Sequence, residues 1–228
     1  MAVVLSTLVS CGVSSPPPGV YKIDPVWPAA DMPTEASAFS AVAVDHVAKE
    51  VHVIQRGPLM PPLLVFDESG KLIRTYGNGT ITFANGTWGS HGLNIRYPPF
   101  GRAPQLWVFD FFAGKILLFS PQGELLSTAG SSQGTATSPL QYGNVADGGF
   151  DAAGGLAVVA DGDGGVNDRV VGLDATMDDL NSPAALKWIS GNAPSDEPKR
   201  AGDPGCVPAA ALLSAPSPRW CWRQQKGF

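Results

Sequence analysis

The sequence predicts an all-β protein, a partial β-propeller of about three blades. Three observations carry that class. A module of about fifty residues recurs three times, each copy made of short apolar runs separated by chain-reversing turns. Equivalent positions keep a steady spacing: Phe66 and Phe119 are 53 residues apart, as are Gly77 and Gly130, while Gln55, Asp110 and Asp161 follow at intervals of 55 and 51. Finally, 27 glycines and 21 prolines stand beside only 15% charged residues, a profile of many tight turns between strands rather than of helices.

Residues 1–20 read as a signal-like leader and Pro-rich spacer. The apolar run Ala2–Val9 has the length of an export h-region and is too short to span a bilayer. Leu8-Val9-Ser10-Cys11 also resembles a lipoprotein cleavage site, so a secreted or lipid-anchored extracellular location is expected. Residues 21–190 hold the blades, with 21–39 as a lead-in strand. The first copy runs AVAVD (41–45), VHVIQRG (51–57) and LLVFDESGKLIRTYG (63–77). Its alternating Val42-Ala43-Val44 and Val51-His52-Val53-Ile54 fit strands buried on both faces. The second runs HGLNIR (91–96), LWVFDFFAG (106–114) and ILLFSPQGELLSTAG (116–130). The third runs GGFDAAGG (148–155), LAVVADGDGG (156–165) and RVVGLDA (169–175). Asp67-Glu68-Ser69-Gly70 and Ser120-Pro121-Gln122-Gly123 are equivalent hairpin turns, each ending in a glycine that tolerates positive φ. Residues 191–228 lose the period, become rich in Pro and Ala, and read as a disordered or non-native tail.

Charge and motifs exclude several function classes. The net charge of −5 and the lack of any basic cluster interleaved with aromatics argue against nucleic-acid binding. No apolar run is long enough for a transmembrane helix. Cys11, Cys206 and Cys221 give neither a disulfide framework nor metal-ligand spacing. There is no Gly-x-Ser-x-Gly elbow, and the glycine run 162–165 is not followed by Lys-Ser/Thr, so neither hydrolase nor phosphate-loop chemistry is indicated. Asp161-Gly-Asp163 with Asp168 resembles a calcium loop only superficially, lacking the closing bidentate Glu; in the repeat register it is an inter-strand turn. Asn-Gly-Thr sequons at Asn78 and Asn85 are acceptors in a eukaryotic secretory setting and equally plain turns.

Two residues stand where propellers place ligands. Arg56 ends an apolar strand on a blade rim, where its guanidinium suits a carboxylate or ties one blade to the next. His91 opens the second copy. The chain has three histidines: His46 reads as a turn residue and His52 as a packing or edge position.

The run of VAVD-like and V-x-D/Q strands followed by N-x-R-V-V (AVAVD/VIQRG, HGLNIR/LWVFD, GGFDAAGG/VVADGDGGVNDRVV) resembles NHL repeats. More narrowly, QRG at 55–57, LLVFDESGKLIRTYG and HGL at 91–93 resemble the first blades of the peptidyl-α-hydroxyglycine α-amidating lyases over residues 38–175, about half of a six-bladed fold. That resemblance implies zinc and calcium as cofactors. It puts His91 on a zinc-binding histidine and Arg56 on a substrate-binding arginine. It also puts Val42 and Leu93 on residues whose backbone carbonyls ligate calcium. The family's other two zinc histidines belong to later blades, and its third-blade tyrosine is Asp163 here. The expectation is therefore a non-catalytic NHL-type binding or scaffold module with a peptide or protein ligand at its rim. The amidating lyase, or a fragment of it, is the alternative, and self-association is one way to complete the ring.

Overall fold

The computed structural model describes Trp27 and residues 32–81, 89–99, 101–130, 140–163 and 167–191. The leader, the tail beyond Gly191, the three cysteines and Asn85 lie outside the described residues.

Among the described residues twelve strands form three four-stranded antiparallel sheets, each a meander of consecutive neighbours. Blade 1 comprises β1 (Phe39–Asp45), β2 (Glu50–Gln55), β3 (Leu63–Asp67) and β4 (Leu72–Tyr76). Blade 2 comprises β5 (Gly92–Arg96), β6 (Gln105–Asp110), β7 (Lys115–Phe119) and β8 (Leu125–Ala129). Blade 3 comprises β9 (Val145–Phe150), β10 (Leu156–Asp161), β11 (Arg169–Asp174) and β12 (Leu186–Gly191). The first strands β1, β5 and β9 lie side by side, so the sheets stack in chain order as propeller blades do. The two expected hairpin turns form, with Gly70 at φ 85° and Gly123 at φ 94°.

Period-two patterning makes the core. One face of blade 1 carries Ile54 and Leu63. It packs on Leu93, Leu106, Val108, Leu117 and Phe119 of blade 2. The opposite face of blade 2 carries Trp107, Phe109, Ile116 and Leu118, which bury Ala157, Val159, Val171 and Leu173 of blade 3. The bulky face of blade 2 meets small residues on blade 3: a Cβ on Gly148 would lie 2.5 Å from Phe109.

Two expectations are corrected and one strand is added. Val42 and Val44 are not buried on both sides but 60% exposed, because no described blade covers the face of β1 turned away from blade 2. Residues 32–38 of the lead-in are a turn and irregular chain, not a strand. The third copy has a fourth strand, β12, which follows a 3-10 turn at Pro183–Ala185 capped by the Ser182 hydroxyl.

Candidate functional site on one rim

In an antiparallel blade the second strand ends on the rim where the first begins. The segments after β2, β6 and β10 and the residues before β5 therefore gather at one end of the stack. They bring Arg56, Phe111, Asp163 and the pair Ser90-His91 to the same rim.

Arg56 is held by blade 1 and points to blade 2. Its backbone N–H donates to the Ala38 carbonyl at 2.9 Å. Its Nε donates at 3.3 Å to the carbonyl of Ser90, which also accepts from the Ser40 hydroxyl at 2.9 Å. Arg56 therefore ties blade 1 to blade 2, through the backbone carbonyl of Ser90. Among the described residues Arg56 has no carboxylate partner. Ser90 is fully buried.

His91 follows directly. Its backbone N–H donates to the Phe109 carbonyl at 2.9 Å, which leaves the half-exposed imidazole free to reach across to blade 3. There its Nε2 lies 3.6 Å from Asp163 Oδ2. The Phe111 ring stands 5.8 Å from the imidazole at 39°. Asp163 is fixed by Asn144, whose carbonyl accepts from the Asp163 N–H at 3.2 Å and whose amide donates to the Asp163 carbonyl at 2.8 Å. The site thus offers a cation, an imidazole, a carboxylate and an aromatic face, contributed by all three blades.

The other histidines are elsewhere. His46 is an exposed turn residue on the opposite rim, its ring 4.4 Å from that of Tyr97. His52 is fully buried, its Nδ1 3.1 Å from the Tyr76 hydroxyl. Among the described residues no three His, Cys, Asp or Glu side chains come together as a metal site. Zinc needs about three protein ligands, and around His91 only Asp163 is of ligand type, so the described residues do not complete the zinc site that the resemblance implies. Val42 and Leu93 occupy equivalent places on the adjacent first strands β1 and β5, Val42 exposed and Leu93 buried. Asp161 is committed away from any metal ion: its carboxylate accepts from Gly143 N–H, Asn167 Nδ2 and Arg169 Nε, each at 2.8 Å.

Sequence reasoning missed Phe111 and the pairing of His91 with Asp163. Those two partners are 72 positions apart in the chain and meet only when blades 2 and 3 stack. Among the described residues no helix is long and apolar enough to cross a membrane.

No family model matches the chain. The mouse protein named NHL repeat-containing protein 3 is 32% identical over 160 residues, covering 68% of this chain and 43% of its own length. The human protein of the same name is 31% identical over 160 residues with the same coverage. The chain therefore spans less than half the length of these curated relatives. A solved structure from Bacteroides thetaiotaomicron, a protein of unknown function, aligns with TM-score 0.47 at 13% identity over 60% of this chain and 33% of that one. Another from Bacteroides caccae aligns with TM-score 0.43 at 15% identity over 70% of this chain and 47% of that one.

Proposed function

We propose that this chain, an NHL-repeat protein by its similarity to the mouse and human relatives, is a non-catalytic binding module that takes a carboxylate-bearing peptide at the Arg56–His91 rim. The observation carrying this reading is the unspent guanidinium of Arg56. It is anchored by one nitrogen to the carbonyl of Ser90 and lacks a carboxylate partner among the described residues, and the next residue along from Ser90, His91, holds its imidazole 5.8 Å from the Phe111 ring. A planar fork held this way suits bidentate capture of a carboxylate. Phe111 offers apolar area for the preceding side chain, and Asp163, as a like charge to the ligand, sets which side it enters from. Amidating-lyase chemistry has less support, because the described residues gather only His91 and Asp163 where a zinc ion needs a third ligand. Calcium on the Val42 and Leu93 carbonyls belongs with that weaker reading.

Titrating the full chain with a peptide ending in a free carboxylate, and with its C-terminal amide, tests the proposal. The carboxylate form binds more tightly, and Arg56→Gln removes about tenfold or more of that preference, the worth of one charge-assisted hydrogen bond. Equal binding of acid and amide, or an Arg56→Gln protein with the preference intact, overturns it.

A second reading is favoured by the uncovered face of blade 1. Val42, Val44, Val51, Val53, Leu64 and Phe66 stand at the repeat positions that blade 2 fills with Leu93, Ile95, Leu106, Val108, Leu117 and Phe119. Blade 2 uses those residues to dock on its predecessor. Part of the equivalent face on blade 1 is covered, with Trp27 5.9 Å from Phe66, but Val42 and Val44 are open. On this reading a second copy supplies the docking blade, through its Val158, Ala160 and Val170. Light scattering then gives a dimer, and a monomer at tens of micromolar rules the reading out.

A further inference from the structure

The opposite rim holds a feature that the peptide site does not use. A cavity of about 280 Å³ is lined by Arg96 and Pro99, by Arg102 from the turn after β5, and by Thr176 from the turn after β11. Its size falls just below the roughly 300–1,000 Å³ of ordinary small-molecule sites, so it suits a headgroup rather than a whole metabolite.

Arg96 is a buried cation, 2% exposed. Its Nε donates at 2.6 Å to the Gly154 carbonyl of blade 3 and its Nη1 at 2.7 Å to Gln105 Oε1. Both partners are neutral, and among the described residues Arg96 makes no ion pair. A buried charge is ordinarily paired. Burial holds the Arg96 pKa below its usual value, and the like charge of Arg102 adds to that. The nearby carboxylates Asp174 and Asp151 offset this only in part, since each is engaged elsewhere. Asp151 accepts from the N–H groups of Gly155 and Leu156 at 2.7 and 2.9 Å. Asp174 is spent on Lys187 at 2.8 Å and on the Thr176 hydroxyl and N–H. Arg102 is mostly exposed, and among the described residues its ion pair is with the fully exposed Asp178 at 4.0 Å. Thr176 Oγ1 gives its proton to Asp174, so it faces any ligand as an acceptor.

We propose that this cavity binds the tetrahedral oxyanion of a phosphate or sulfate monoester. Arg96 and Arg102 hold the anion oxygens, Pro99 lies against the ester carbon, and Thr176 Oγ1 accepts from a hydroxyl of the ligand. An oxyanion supplies the missing counter-charge to Arg96 and removes the repulsion between the two arginines, which is why the site takes an anion and not a neutral group.

The test is titration of the full-length chain with inorganic phosphate, inorganic sulfate, phenyl phosphate and phenyl sulfate, followed by NMR. Saturable shifts at Arg96, Arg102 and Thr176 are expected, with the phenyl esters tighter than the inorganic ions. Tighter phenyl phosphate assigns a phosphate ester and tighter phenyl sulfate a sulfate ester. Arg102→Gln, which removes an exposed side chain and leaves the blade junction intact, weakens binding about tenfold. Lys49→Gln, the same charge change at an exposed pair with Glu68, leaves it unchanged. No saturation by any of the four at tens of millimolar overturns the proposal, as does an equal effect of the two substitutions.

Discussion

The second strand of each blade ends in a buried polar side chain that organises the loop beyond it. In blade 1 Gln55 does this with both ends of its amide: Oε1 accepts from Gly57 N–H at 2.6 Å, while Nε2 donates to the Gly57 and Met60 carbonyls at 2.8 Å. Asp110 accepts from Ala113 N–H at 3.3 Å. Asp161 pairs with Arg169, both side chains almost wholly buried. The position was legible in the sequence as a repeat, but its partners were not, since each loop satisfies it differently. Asp161→Ala strands the Arg169 charge and removes three hydrogen bonds. It should cost about 3–5 kcal/mol in chemical denaturation, whereas a value below about 1 kcal/mol would mean that Arg169 finds water instead. His52 gives a second prediction. Burial holds its pKa below 6.5, and the Glu50 carboxylate 3.5 Å away only partly opposes this. Folding therefore favours the neutral ring. That stabilisation is complete above pH 6.5 and is lost as pH falls through the lower folded-state value. Unfolding free energy should drop by up to about 1.4 kcal/mol per pH unit over that window, and His52→Gln should flatten the slope.

Blade contacts at the level of elements explain which residues the repeat keeps. Arg74 on β4 grips Glu50 on β2 through two nitrogens and donates at 2.6 Å to the Pro121 carbonyl in the β7–β8 turn of blade 2. Next to it, Gly123 lets that turn lie on Tyr76: a Cβ there would stand 2.6 Å from the ring, at φ 94°. Gly123 was legible as a turn glycine, because Ser-Pro-Gln-Gly repeats the role of Asp-Glu-Ser-Gly. Its second duty as a contact between blades was not legible. Gly123→Ala should therefore cost more than φ strain alone, about 2–4 kcal/mol in total, against about 1 kcal/mol or more for the equivalent change at Gly79, where φ is 74° but nothing lies within 4 Å. Equal costs at the two sites would assign the whole effect to backbone conformation. The strand β12 escaped the sequence reading for a related reason. A long turn and a 3-10 segment separate it from β11, so LKWISG falls off the spacing that marked β4 and β8.

At the scale of the molecule, the three stacked blades of the described residues create two candidate sites that no single module contains. The peptide rim draws on residues 56, 90–91, 111 and 163, and the oxyanion cavity on 96–102 and 176. Arg56 was marked because it ends an apolar strand on a rim, and His91 because the family resemblance puts it on a zinc-binding histidine. Asp163, Phe111 and Arg102 were hidden, since their roles exist only across a blade junction. The exposed face of β1 belongs to this scale too. If a second copy docks there, Val42→Glu places a charge in the junction and should convert a dimer to a monomer in light scattering, with unchanged strand content. A dimer that persists would put the contact elsewhere. The central claim, a carboxylate site shared by three blades, is tested most directly by NMR mapping of a bound peptide acid on the full chain. The account predicts shifts confined to Arg56, Ser90, His91, Phe111 and Asp163, with Tyr97 and Arg102 on the far rim unmoved; shifts centred away from Arg56, or the same pattern from the peptide amide, would contradict it.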